Sequence, residues 1–135
     1  MNSLVIFDTS VFIDHLRADR HHERIAAVSG LVRMSSVVLP ELWRGATRPA
    51  EHAFLRALER NHPIFTPTEH MWLESGQLLG KIHAGRGLSP ERLRTLHFDV
   101  LIALTARAHG ARLITSNRTD FELIREYRDF ALEVW

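Results

Sequence analysis

A three-layer α/β/α domain, with a central parallel sheet of four to five strands, is the fold class predicted by three features of the sequence. Leu4-Val5-Ile6-Phe7 is an unbroken apolar run with no polar alternation, the pattern of a strand buried on both faces. Other short apolar runs recur along the chain, separated by stretches of helical periodicity. His97 to Ala106 is apolar almost all round, as a helix lying between layers must be. Strands alternating with helices imply right-handed crossovers, and so parallel neighbours with helices on both faces.

Each element has its own signals. The first strand stops at Asp8, and Thr9-Ser10 open a helical segment through Leu16, followed by the polar break Arg17–Arg20. His22 to Ser29 predicts a short amphipathic helix, which Gly30 ends. Leu31–Ser35 is the second strand. Ser36 is a candidate cap for a helix over Val37–Ala46, with Pro40 tolerated in its first turn. Pro49 starts another helix through Arg60, with Phe54, Leu55 and Leu58 as its stripe. Ile64-Phe65, between Pro63 and Pro67, fits an edge strand. Thr68-Glu69 opens a long helix to about Ala84, which Gly85-Arg86-Gly87 ends, and a loop through Ser89-Pro90 leads to the apolar helix His97–Ala106. Gly110 closes that helix. Leu113–Thr115 is the fourth strand, Ser116–Phe121 a polar turn, and Ala131–Val134 the last strand.

The 135 residues suffice for one domain, 1–135, with its own core and no linker, repeat or low-complexity tract. Hydrophobic residues make up 45% and charged residues 24%, a composition that suits a soluble globular protein. With no cysteine, disulfides and thiolate metal sites are excluded. No signal peptide or membrane span is legible, so a cytoplasmic protein is expected. The net charge of +1 does not announce nucleic-acid binding, and the arginines are scattered instead of clustered. The nine histidines show no metal-ligand spacing of the HExxH kind, and His21-His22 reads most simply as a solvated helix start. The helices around Leu42-Trp43 and Phe54–Leu58 carry more apolar surface than a sheet face covers. An exposed patch for a partner or second subunit is expected there.

Four acids stand in unusual places. Asp8 ends the central strand beside a helix start, where open α/β sheets place their chemistry. Glu41 lies in an otherwise apolar helix, Asp99 opens the most apolar helix, and Asp120 follows the fourth strand. Each has a structural alternative: Asp8 as a helix cap, Glu41 facing solvent, Asp99 complementing a helix dipole, Asp120 capping a turn. Carboxylates rarely enter such surroundings unpaired, and four at one sheet edge would repel one another unless a cation neutralised them. All-oxygen ligation suits Mg²⁺ or Mn²⁺, whose chemistry is metal-assisted hydrolysis of phosphate esters.

The order Ile6–Asp14 (IFDTSVFID), Pro40–Ala46 (PELWRGA), Phe98–Ala106 (FDVLIALTA) and Thr115–Phe121 (TSNRTDF) resembles a PIN domain. More narrowly it resembles the VapC toxins of type II toxin–antitoxin pairs, over essentially the whole chain from Val5 to Trp135. The resemblance implies that Asp8, Glu41, Asp99 and Asp120 are the metal-binding acids of a Mg²⁺-dependent endoribonuclease. Ser10, Thr115 and Asn117 would support the site, and Asn117 could share or replace the role of Asp120. It also implies an RNA substrate, a cognate antitoxin that blocks the acidic groove, a homodimer, and a sheet with the first and fourth strands side by side. Pro40 directly before Glu41 departs from the family's usual helix former.

Two other classes compete. A receiver needs a lysine after its last strands, and Lys81, the one lysine, sits in mid-helix. A DxD phosphatase needs an acid two positions after Asp8, where Ser10 stands. A degenerate fold that binds RNA or protein without cleavage is the remaining alternative.

Overall fold

The computed structural model describes residues 3–135. Its five strands are β1 (Leu4–Phe7), β2 (Leu31–Ser35), β3 (Ile64–Phe65), β4 (Arg112–Thr115) and β5 (Leu132–Val134). They form one sheet in the order β3-β2-β1-β4-β5, with every neighbouring pair parallel. β1 is central and pairs with both β2 and β4. Val5, Ile6 and Phe7 are all buried, so both faces of the sheet are covered at β1. This is the expected α/β class.

Seven helices supply the cover: α1 (Thr9–Ala18), α2 (His22–Ala27), α3 (Val38–Gly45), α4 (Pro49–Asn61), α5 (Glu69–Arg86), α6 (Pro90–Ala108) and α7 (Arg118–Tyr127). α1 packs on α3, and α3 on α4; separately, α5, α6 and α7 pack on one another. β4 touches both groups, through α1 and through α6. On α6 the run Val100–Ala106 is buried residue after residue, as its all-round apolar sequence requires. Phe7, Phe12 and Phe121 anchor the core, with the Phe7 and Phe12 rings edge to face at 5.5 Å. Burial of each such side chain contributes roughly 1.5–3 kcal/mol. Among the described residues no helix is long and apolar enough to cross a membrane.

Several boundaries differ from the sequence expectation, each for a local reason. The residues before His97 are helical, because Ser89 caps α6 by accepting from the Arg92 amide at 3.2 Å and Pro90 fits the first turn. Ser116–Phe121 is a strand-to-helix junction: Asn117 caps α7 by accepting from the Asp120 amide at 3.3 Å. Ser35, not Ser36, holds the start of α3, its Oγ accepting from the Val37 and Val38 amides at 3.0 and 3.4 Å.

The expected apolar patch also moves. Leu42 and Leu55 are buried, and Trp43 is covered within its own chain by the stacked His52 ring and the Arg56 guanidinium. The exposed large apolar side chains are instead Leu31, Ile64, Trp72, Leu73 and Phe98. Helical periodicity identified the stripe on α4 but not the polar neighbours that finish its cover.

Candidate active site

The parallel pairing of β1 with β4 brings their carboxyl ends together, and the junctions that follow define the site. Asp8 is the N-cap of α1 and is 2% exposed. Its Oδ1 accepts from the Ser10 amide at 2.8 Å and the Ser10 hydroxyl at 2.5 Å. Its Oδ2 accepts from the Thr115 hydroxyl at 2.7 Å. Those hydroxyls are themselves fixed from the β4 side: Ser10 Oγ accepts from the Ser116 amide at 3.0 Å, and Thr115 Oγ1 from the Asn117 amide at 2.8 Å. Asp8 therefore caps a helix and also belongs to a side-chain network spanning two strands. The capping alternative is correct as far as it goes, and it does not exhaust the residue.

The other three acids gather from separate helices. Glu41 on α3 accepts at Oε1 from the Thr9 hydroxyl at 3.2 Å. Asp99 stands midway along α6, and its charge is coupled to Asp8, Asp120 and Glu41. Asp120, in the first turn of α7, is buried; it is bonded to the Arg92 guanidinium and accepts from Asn117 Nδ2 at 2.9 Å. All four acids, with Ser10, Thr115 and Asn117, thus lie in one region beyond the ends of β1 and β4. Asp99 is not at a helix start, because α6 begins nine residues before it, and the dipole alternative for this residue falls away.

Their protonation reflects crowding. Burial pushes Asp99 up to about 9, reinforced by the charges of Asp8, Asp120 and Glu41 and by a hydrogen bond to Asp120. Burial also raises Asp8, against the hydrogen bonds of Ser10 and Thr115, and it raises Glu41, with Asp8 adding to the effect. Asp120 goes the other way: burial pushes it up, but hydrogen bonds from Arg92, Asn117 and Asp99 overcome this and hold it below its ordinary value. At neutral pH Asp99 is therefore protonated and donates towards Asp120. Without another cation, a shared proton, Arg92 beside Asp120 and Arg44 near Glu41 relieve the repulsion.

The donor set is all oxygen, each acid is oriented by a second residue, and the group carries excess negative charge. Those features fit a hard divalent ion such as Mg²⁺ or Mn²⁺. The carboxylates are neighbours without forming a closed cage. Among the described residues, the one trio of metal-capable side chains whose ligand atoms all lie within 4.8 Å of one another is His15, Asp19 and His22, outside this group.

Two contributors escaped the sequence reading. Arg92 lies in the stretch read as loop, and only the fold carries it to Asp120. The Ser89-Pro90 cap would have placed it on the first turn of a helix that runs on to Asp99. Thr9 was read as a helix opener and proves to be the residue that holds Glu41. No sequence signal pointed to that contact.

Comparison with known proteins agrees with this architecture. No curated protein sequence matches the chain. VapBC2 from Rickettsia felis bound to a DNA fragment from the promoter is similar in structure, with a TM-score of 0.69 and 19% identity, over 98% of each chain. FitAB bound to an IR36 DNA fragment gives 0.68 and 16%, over 96% of this chain and 94% of that one. FitAcB from Neisseria gonorrhoeae gives 0.61 and 18%, over 95% of each. At such identities the likeness speaks for the fold. A family model described as PIN domain matches residues 5–127, nearly the whole chain and every acid of the cluster, and the chain belongs to that family.

Proposed function

We propose that the protein is a Mg²⁺-dependent endoribonuclease, with Mn²⁺ able to substitute, and that it is the toxin of a type II toxin–antitoxin pair. The observation that carries this reading is the gathering of Asp8, Glu41, Asp99 and Asp120 at one sheet edge, with Asp99 held protonated by its neighbours. A divalent ion bound there supplies positive charge to a phosphodiester and to the water that attacks it. Asp8 contributes a carboxylate fixed on both oxygens by Ser10 and Thr115. Asp99 would hold such an ion only as the carboxylate, so cation affinity is expected to rise with pH. Asp120 is steered by Arg92 and Asn117, and Thr9 occupies only one oxygen of Glu41. Water adds across the P–O bond, so one fragment gains a phosphate terminus and the other a hydroxyl.

An RNA substrate is favoured by what lies beside Glu41. A hollow of about 320 Å³ is walled by Val37, Pro40, Arg44, Trp72 and Phe98. Trp72 is 49% and Phe98 40% exposed there, so an unpaired base can stack on an aromatic face while Arg44 meets phosphate. The likeness to the VapBC2 and FitAB structures supports the expectation of a cognate antitoxin; the homodimer rests on the sequence resemblance to VapC toxins. A degenerate domain that binds RNA without cutting it is the second reading.

Incubation of the purified, partner-free protein with single-stranded RNA separates the two. Cleavage with Mg²⁺ or Mn²⁺ that stops in excess EDTA is the expected result. Binding without cleavage at any metal concentration establishes the second reading, and equal cleavage in EDTA rules out the metal mechanism.

A further inference from the structure

The joint between α1 and α2 holds a cluster that the acid group does not use. We propose that His15, Asp19 and His22 form a second cation site, for Zn²⁺ or a similar transition ion. One ligand atom from each of the three lies within 4.8 Å of the others. The imidazoles of His15 and His22 are nearly parallel, 12° apart, with centroids 5.7 Å apart. His15 is wedged against Phe54 on its other side, at 5.4 Å, so its ring direction is set by packing. Its Nδ1 is buried and has no hydrogen-bond partner. The nearest acid oxygen, Oδ1 of Asp19, is 3.9 Å away, beyond hydrogen-bond range.

An i,i+4 surface pair is the ordinary explanation for a histidine and an aspartate at a helix end. It accounts neither for the orphaned Nδ1 nor for a second imidazole arriving from the next helix. The backbone makes that arrival possible: Asp19 and His21 both sit at positive φ, 51° and 65°, and turn the chain back so that His22 faces His15. Two imidazoles and a carboxylate suit Zn²⁺, Co²⁺, Ni²⁺ or Cu²⁺, whereas Mg²⁺ prefers oxygen. Tetrahedral Zn²⁺ asks for ligand atoms roughly 3.3 Å apart, given bonds near 2.0–2.2 Å. Asp19 and His22 are exposed and can close that gap, while His15 stays where Phe54 holds it. The fourth position is left to water or to a partner's side chain.

The site reaches the acid cluster through His21, Ser116 and Thr115. His21 Nε2 lies 3.4 Å from Asp14 Oδ2 and 3.2 Å from Ser116 Oγ, and Ser116 adjoins the Thr115 that holds Asp8. A cation at the joint fixes the turn that carries His21.

Titration calorimetry with Zn²⁺ in excess Mg²⁺ tests this on the full chain carrying Asp8→Asn, which weakens the acid cluster independently. One Zn²⁺ per chain is expected, with affinity falling about tenfold or more in a further His22→Ala variant and in Asp19→Asn. His22 is exposed, so His22→Ala should melt at the parent temperature without metal and lose the Zn²⁺-induced rise. Co²⁺ added as a spectroscopic probe should give the visible bands of a tetrahedral nitrogen and oxygen site. Absence of Zn²⁺ binding, or unchanged affinity in both His22→Ala and Asp19→Asn, overturns the proposal whether or not the protein cleaves RNA.

Discussion

Asp99 is the residue on which the electrostatics turn. Its carboxyl has an ordinary value of 3.8 and is pushed to about 9 in the folded chain, by burial first and then by Asp8, Asp120 and Glu41. Between those values the native state binds a proton that the unfolded chain does not, so stability falls as pH rises through that window. Asp8 and Glu41, also raised, add to the same slope; Asp120, lowered, opposes it. Metal-free protein should therefore lose melting temperature steadily from about pH 5 to pH 9, the range over which the shifted carboxyl is the extra proton-binding group. Asp99→Asn mimics the neutral acid and should flatten that slope, gaining most at high pH, while cleavage is lost. A parent profile flat over this range, measured in EDTA, would show that Asp99 ionises freely and is not crowded. The residue scale is also where the sequence was least informative. Asp8, Glu41, Asp99 and Asp120 were legible because apolar surroundings make a carboxylate conspicuous. Arg92 and the His15, Asp19 and His22 trio were not: Arg92 meets its partner only through the fold, and the trio is closed by a left-handed turn that no residue pattern announces.

At the scale of elements, the strands were readable almost to the residue, most plainly β1, whose Leu4–Phe7 run is apolar as a doubly covered parallel strand requires. α7 was not. Its first turn carries Arg118, Thr119 and Asp120, and its buried side is narrow, so polar composition disguised a helix as a turn. The residues that start α7 are also residues of the proposed site. Asn117 accepts from the Asp120 amide and donates to the Asp120 carboxylate, capping the helix and steering the acid together. Asn117→Ala should cost about 1 kcal/mol of stability, in the range for a lost N-cap. It should also weaken Mg²⁺ binding severalfold, because Asp120 loses the donor that steers its second oxygen and keeps only Arg92 and Asp99. Asn117→Ser retains a capping oxygen without adding a charge beside Asp120, so chemical denaturation should show near-parent stability for it; equal stability losses for both variants would mean that the cap is not the source. Gly30 gives the entry to β2 similar definition: at φ +128°, an added Cβ would stand 2.5 Å from the Ser3 carbonyl oxygen.

The whole molecule is a sheet with the proposed site at the β1–β4 edge and, on α5 and α6, the exposed apolar side chains Trp72, Leu73 and Phe98. Leu73 on α5 is 64% exposed and adjoins the exposed Trp72 in sequence, apolar surface that a partner can cover. We expect it to be covered in the proposed homodimer, so sedimentation should give the mass of two chains for the parent and of one for Leu73→Arg. A parent that stays monomeric at high concentration would remove that surface from the assembly. The central claim, that four carboxylates form one cation site, is tested most directly by thermal melts of the parent and Asp8→Asn with and without Mg²⁺. A ligand that binds only the native state stabilises it by mass action, about 2.7 kcal/mol at a hundredfold excess over Kd. The parent should show that rise. Asp8→Asn should keep its cap, since Asn caps nearly as well as Asp. Without metal it should melt at or above the parent temperature, because one repelling charge is gone, and it should lose most of the Mg²⁺ response. An unchanged Mg²⁺ response in Asp8→Asn would contradict the account, reducing Asp8 to a helix cap.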